Sequence, residues 1–242
     1  MPNVTRRGVL VTGLLGAVPA ASAAAVFRGE MPWTGGAAAP NPQIASDRAY
    51  IFFNPQEAAF VEAAVARMIP NDDLGPGGIE AGVPEFIDRQ LAGEFGQGVR
   101  WYMQGPWSKG EDTQGYQSRL TPAGMYRAAI PAIDAAVGKM FTGKSFAQLS
   151  GDEQDSVLSK IENGQLDLGK IEAKSFFEMF LQNAIEGFWS DPIYGGNKDM
   201  IGWKLIGFPG ARYDNRDFVL RHGERYPLPP VGLKGRPAWQ GS

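Results

Sequence analysis

The run from Ala173 to Trp189 constrains the fold of this chain more than any other stretch. Phe176, Phe177, Met179, Phe180, Ala184, Ile185 and Phe188 place apolar groups around more than one stripe of a helix. Such a helix is stable only when most of its circumference is covered, so the spacing predicts a central, largely buried helix. Asp191-Pro192 ends it, and the rest of the chain must supply its cover.

Three upstream segments have the right pattern. Asn54-Pro55-Gln56-Glu57 opens the first: Asn54 suits the N-cap, Pro55 the first helical position, and Glu57 can reach back to the cap. Val61, Ala64, Val65 and Met68 then fall at i, i+3, i+4 and i+7, and Pro70 stops the helix. Thr121-Pro122 opens another, with Met125, Ala129, Ala132, Ile133, Ala136, Val137 and Met140 along one stripe and a kink expected at Pro131. Ser150-Gly151-Asp152-Glu153 is a second capping box, leading to Val157, Leu158 and Ile161. A shorter helix from Pro84 to about Leu91 carries Phe86, Ile87 and Leu91 on one side. Nothing alternates as a strand beyond a few residues, and no internal repeat is present. The fold class is mainly α, an irregular helical domain with long Gly/aromatic-rich loops and an extended C-terminal arm.

Two loops stand out. Ser190 to Gly210 holds five glycines, two prolines and three large aromatics. Glycine at that density marks backbone that turns sharply or approaches a neighbour closely, and the aromatics supply large buried area. The stretch either closes the domain's own core or forms a docking surface for another protein. Gly93 to Leu120 sets Trp101, Tyr102, Trp107 and Tyr116 among glycines and polar residues without helical period. These rings either pack over the core or stack on a sugar or a protein partner. Beyond Gly210 the chain is charged and Pro-rich, from Arg212 through Arg221-His222 to Pro227, Pro229 and Pro230, and reads as an arm that needs something to lie on.

Composition removes whole classes of chemistry. Among 242 residues there is no cysteine, and His222 is the single histidine. Disulfides, thiolate zinc sites, iron–sulfur clusters, a thiol nucleophile, Cys-x-x-Cys-His haem attachment and two-histidine metal sites are therefore excluded. The formal charge of −3 gives no basic face for nucleic acid. No dinucleotide fingerprint, phosphate loop or Gly-x-Ser-x-Gly elbow appears. The acidic groups Asp72-Asp73 and Asp152-Glu153-Asp155 read as turn and helix-start residues before they read as an acid–base pair. The residues themselves yield no catalytic, cofactor-binding or metal-ligating site.

Met1 to Ala23 reads as an export signal: a basic start at Arg6-Arg7, an apolar run from Gly8 to Val18, and a small-residue cleavage site at Ala21-Ser22-Ala23. Thr5-Arg6-Arg7-Gly8-Val9-Leu10 resembles a twin-arginine signal, which serves proteins exported folded. Cleavage removes two arginines and no acids, leaving 21 basic against 26 acidic side chains, a charge of −5. A periplasmic location follows. The expected organisation is an export signal over 1–23, an extended lead-in over 24–50 with Trp33 as an anchor, a helical domain over 51–210 and the arm over 211–242.

Asp191-Pro192-Ile193-Tyr194-Gly195-Gly196-Asn197, followed by Gly202-Trp203-Lys204-Leu205-Ile206-Gly207-Phe208-Pro209-Gly210, resembles the gluconate 2-dehydrogenase subunit 3 family. The likeness extends through Ala211-Arg212-Tyr213-Asp214 and Arg221-His222 to Tyr226-Pro227-Leu228-Pro229-Pro230. Upstream, Phe53-Asn54-Pro55-Gln56-Glu57, Ile69-Pro70-Asn71-Asp72-Asp73 and Ala81-Gly82-Val83-Pro84 match the family's first helices. The resemblance implies a non-catalytic small subunit of a periplasmic, inner-membrane-associated sugar or sugar-acid dehydrogenase. It implies FAD in a large subunit of the glucose–methanol–choline type and c-type haem in a multihaem cytochrome subunit. It also implies that this chain, through the twin-arginine translocase, escorts the large subunit across the membrane. The family supplies no catalytic residue to carry over. Gly8-Val9 stands where a phenylalanine often follows the arginines.

On this reading the contact surface comprises Tyr194, Asn197, Trp203, Phe208, Arg212, Tyr213, Arg221 and Tyr226, with Trp101 and Trp107, since aromatics and arginines tend to dominate interfaces. The rival reading is a stand-alone periplasmic carbohydrate-binding module that stacks sugars on Trp101, Tyr102, Trp107 and Tyr116. A third is a hydrolase using a carboxylate pair.

Overall fold

The structure, a computed structural model, describes residues 50–108, 110–212, 214–224 and 226–235. The export signal, the lead-in up to residue 49 and Tyr213 lie outside the described residues. Among the described residues seven α-helices follow in chain order: α1 (Pro55–Met68), α2 (Val83–Ala92), α3 (Glu94–Gln97), α4 (Pro122–Met140), α5 (Gly151–Glu162), α6 (Ala173–Trp189) and α7 (Ile201–Ile206). Among the described residues β-pairing is confined to isolated bridges, and no helix is long and apolar enough to cross a membrane.

The helix starts are local events. At α1 the Asn54 carboxamide oxygen accepts the N–H groups of Gln56 and Glu57 at 3.0 and 2.9 Å, and Glu57 accepts the Asn54 N–H at 2.9 Å. Ser150 and Glu153 make the same reciprocal box at α5. Each box satisfies donors that a helix end leaves open. Helix α4 continues through Pro131 as one element, although that residue offers no N–H to the preceding turn. The four-residue helix α3, between Gly93 and Gly98, has too few residues to show a period in the sequence.

The core forms where α1, α2, α4 and α5 all pack on α6. Phe60 meets Phe146 at 4.9 Å between ring centres, Tyr126 meets Phe176 edge-on at 5.3 Å, and Phe176 stacks on Phe180 at 5.9 Å. One polar pair sits inside. The Asn183 amide donates to the Tyr126 hydroxyl at 2.9 Å, and burial pushes the Tyr126 phenol up. Helix α6 is covered on one side rather than all round: Phe176, Phe180, Ala184 and Phe188 are buried, while Leu181, Ile185 and Trp189 are exposed. Phe177 of the second apolar stripe is half-buried and packs against the core.

A buried carboxylate fixes where the chain joins this bundle. Asp88 of α2 accepts the backbone N–H groups of Ile51, Phe52 and Phe53, each at 2.9 Å. Beside it Arg127 of α4 pairs with Glu57, donates to the Phe52 carbonyl and lies 4.0 Å over the Phe52 ring.

Candidate functional site

The segment from Ser190 to Gly210 has two faces. Its inner face is bonded to the end of α6 by residues that donate and accept at fixed points. Asn197 is fully buried. Its amide donates to the Ser190 carbonyl at 2.9 Å, and its oxygen accepts the Gly202 N–H at 2.8 Å. The Trp203 indole N–H donates to the Trp189 carbonyl at 2.8 Å. The Lys198 N–H reaches the Ala81 carbonyl at 2.9 Å, which ties the segment to the start of α2. Close approach explains two of the glycines. A Cβ on Gly196 would stand 2.2 Å from the Gly187 carbonyl oxygen, and one on Gly202 would stand 2.4 Å from that of Phe188.

Backbone strain concentrates here as well. Asn197, Asp199 and Met200 have φ of 45°, 55° and 58°, a region that costs non-glycine residues free energy and persists where surroundings hold it. The buried Asn197 side chain supplies that hold, since it spans from Ser190 to Gly202.

The outer face is apolar and open to solvent. Leu205, Ile206 and Phe208 are 47%, 63% and 43% exposed, against 6% for Trp203 one turn inward. Gly207 ends α7 at φ 71° and returns the Phe208 N–H to the Trp203 carbonyl at 2.8 Å. The Phe208 ring then packs edge-on against Trp203 at 5.2 Å. The 71–78 loop extends this face: Leu205 Cδ1 lies beside Gly75, and the adjacent Leu74 is exposed.

The described part of the arm is tied at its base, where Gly210 and Val231 meet. The Val231 N–H donates to the Pro209 carbonyl at 3.2 Å, and the Ala211 N–H to the Val231 carbonyl at 2.6 Å. Asp191 joins both parts, accepting the Ile193 N–H at 3.0 Å and the Leu233 N–H at 2.7 Å. Arg212 donates to the Pro229 carbonyl at 2.6 Å and lies 5.2 Å over the Tyr226 ring. Tyr226 in turn meets Phe218 at 4.5 Å, and Arg221 lies 5.1 Å over the Phe218 ring. Asp214 pairs with Arg216, which holds its carboxyl down at about 2.

The residues expected at a contact surface therefore separate into groups. Tyr194 and Phe208 face solvent. Asn197 and Trp203 are buried, with their polar atoms engaged within the chain, so they shape the segment instead of presenting it. Arg212, Arg221 and Tyr226 come together in one cation–aromatic stack. Trp101 is half-buried, edge-on to Phe95 at 5.7 Å and tilted on Tyr116 at 4.9 Å. Trp107 is half-buried, and among the described residues no ring contact joins it to that cluster. Arg6, Arg7 and Tyr213 lie outside the described residues. Two anchors escaped the sequence reading: Asp88, and Asp191 beyond its role as a helix stop. A carboxylate inside the apolar face of α2 was the available signal for the first.

Three of the acidic side chains in the two groups Asp72-Asp73 and Asp152-Glu153-Asp155 are already engaged within the chain. Asp72 accepts the Leu74 N–H at 2.8 Å, Glu153 caps α5, and Asp155 pairs with Arg67 at 2.6 Å. Among the described residues no three His, Asp or Glu side chains assemble in a way that could hold a metal ion.

No curated protein and no solved structure matches the chain. One family does: gluconate 2-dehydrogenase subunit 3, over residues 55–210, running from the first residue of α1 to the glycine at the base of the arm. That span is well over half of the chain and contains every helix described above, so the protein belongs to the gluconate 2-dehydrogenase subunit 3 family.

Proposed function

We propose that this chain is the non-catalytic small subunit of a membrane-associated, FAD-dependent gluconate 2-dehydrogenase-like complex. It binds and stabilises the flavoprotein large subunit and escorts it through twin-arginine export to the periplasm. Electrons pass from the flavin to a multihaem cytochrome c subunit, and this chain holds neither cofactor. The observation that carries the reading is the sidedness of the 190–210 segment within a subunit family. The inner face is fixed to α6 through Asn197 and Trp203, while Leu205, Ile206 and Phe208 are each exposed to solvent. A contiguous apolar face on a rigid support is what a stable partner covers. Its central anchors are the residues whose truncation costs most.

Co-expression with the FAD-containing large subunit of such a complex tests the proposal. The periplasmic fraction is resolved by size exclusion and scanned for flavin absorbance. Co-elution of flavin with this chain, lost when Arg6-Arg7 become Lys-Lys, is the expected result. A chain that elutes alone while the flavoprotein reaches the periplasm without it contradicts both the subunit role and the escort role. Heat evolved when gluconate is titrated into the isolated chain would favour the carbohydrate-binding module instead.

A further inference from the structure

Helix α6 is patterned for more cover than the described residues give it. Phe176, Phe180, Ala184 and Phe188 enter the core, yet Leu181, Ile185 and Trp189, spaced at i, i+4 and i+8, are 36%, 42% and 36% exposed. Residues four apart are neighbours on a helix surface, so these three form one row. The Trp189 ring closes the row against α7, where a Cβ on Gly202 would stand 3.1 Å from it. Single apolar residues on a surface are ordinary. A row along one helix line is the pattern of a covered face.

The chain brings a cover to the right place. Val231 passes Pro209 first, its N–H donating to that carbonyl at 3.2 Å. By Leu233 the chain has reached Asp191, two residues beyond Trp189, whose carboxylate accepts the Leu233 N–H at 2.7 Å. The Gly235 N–H then turns back onto the Gly232 carbonyl at 2.9 Å. Residues 236–242, Arg236-Pro237-Ala238-Trp239-Gln240-Gly241-Ser242, lie outside the described residues and hold one large apolar side chain, Trp239. Four residues of extended chain from Gly235 span up to about 13 Å. Ile185 stands four residues before the end of α6, about 6 Å along its axis.

We propose that Trp239 docks on the outer row of α6, against Ile185 and Trp189. An indole there buries a large area with few torsions to fix. The short tether raises its effective concentration into the millimolar range, so a modest contact suffices. The grip of Asp191 on Leu233 starts the tail at α6 and leaves the α7 face to a partner. The inference is independent of the subunit reading.

The chain has no cysteine, so paired cysteines report the contact without background. In the full chain, Ile185→Cys with Gln240→Cys puts one thiol on the row and one beside Trp239. A disulfide closes only when the two Cα atoms come within about 7 Å. Closure within one chain is followed on non-reducing gels under mild oxidation, with thermal melts to verify that each variant folds. The expected result is rapid closure that Trp239→Ala slows about tenfold, and slower closure for Ile206→Cys with Gln240→Cys on the α7 face. A rate unchanged by Trp239→Ala overturns the proposal, because the tether alone then brings the thiols together. Faster closure at residue 206 than at residue 185 also overturns it and places the tail on α7. Cross-links that join two chains instead show a second copy on the row, and the proposal is wrong.

Discussion

The segments 93–120 and 190–210 look alike in composition, rich in glycine and aromatics, yet they are built differently. In the first, the recorded bonds are short-range: the Tyr116 hydroxyl donates to the Leu120 carbonyl at 2.7 Å, and the Trp101 N–H to the Gly98 carbonyl at 2.9 Å. In the second, side chains and backbone reach other elements, through Asn197 to both Ser190 and Gly202, Trp203 to Trp189, Lys198 to Ala81 and Asp191 to Leu233. Aromatic density alone does not distinguish a locally folded excursion from a platform. The presence of a buried amide or indole N–H at a helix end does.

Substitutions graded by expected effect test that difference. The largest loss is expected for Gly196→Ala, whose methyl would stand 2.2 Å from a backbone oxygen with no flexible group to yield. Overpacking of this kind costs about 3 kcal/mol, or roughly 10 °C in the melting temperature. A melt within a degree or two of the unaltered chain would show that the segment is loosely held. Asn197→Ala strands the buried Gly202 N–H and the Ser190 carbonyl, at about 2 kcal/mol, measured by urea denaturation. Trp203→Phe keeps a ring and removes the donor to Trp189, for about 1 kcal/mol. The matching change in the other segment, Tyr116→Phe, removes a half-exposed local bond and should cost about half as much. Equal losses for Trp203→Phe and Tyr116→Phe would remove the distinction between the two segments.

The smallest effect is electrostatic. The Arg216 guanidinium holds the exposed Asp214 carboxyl at about 2, below its ordinary value of 3.8. A depressed carboxyl contributes above its ordinary value and loses that contribution as pH falls through about 2. A carbon NMR titration of Asp214 should therefore place its midpoint near the lower figure. A midpoint near 3.8 would show that the pair does not form in solution.

Features determined by neighbours in sequence were legible. The Asn54 and Ser150 boxes, Pro55 at the helix start, and the stop before Pro70 all depend on groups a few residues apart. Helical class followed from those caps and from the apolar period of α1, α4 and α5. Features fixed by distant partners were not legible. Asp88 bonds to backbone N–H groups 35 to 37 residues upstream, and Asp191 to one 42 residues downstream. Neither leaves a local pattern beyond a carboxylate in an unusual place. The 190–210 stretch was identifiable as special by its glycines. Which of its side chains face inward was not, because Trp203 and Phe208 differ in burial through the turn at Gly207 and not through residue type.

Docking through the outer face of α7 is the claim on which the functional account depends. Leu205→Asp with Phe208→Asp alters two exposed side chains and leaves Asn197 and Trp203 in place, so the fold should survive, as a circular dichroism melt would confirm. Size exclusion of this variant co-expressed with the flavoprotein is the direct measurement. The account predicts a folded small subunit that elutes apart from the flavin absorbance carried by its partner. Co-elution as complete as that of the unaltered chain would contradict it.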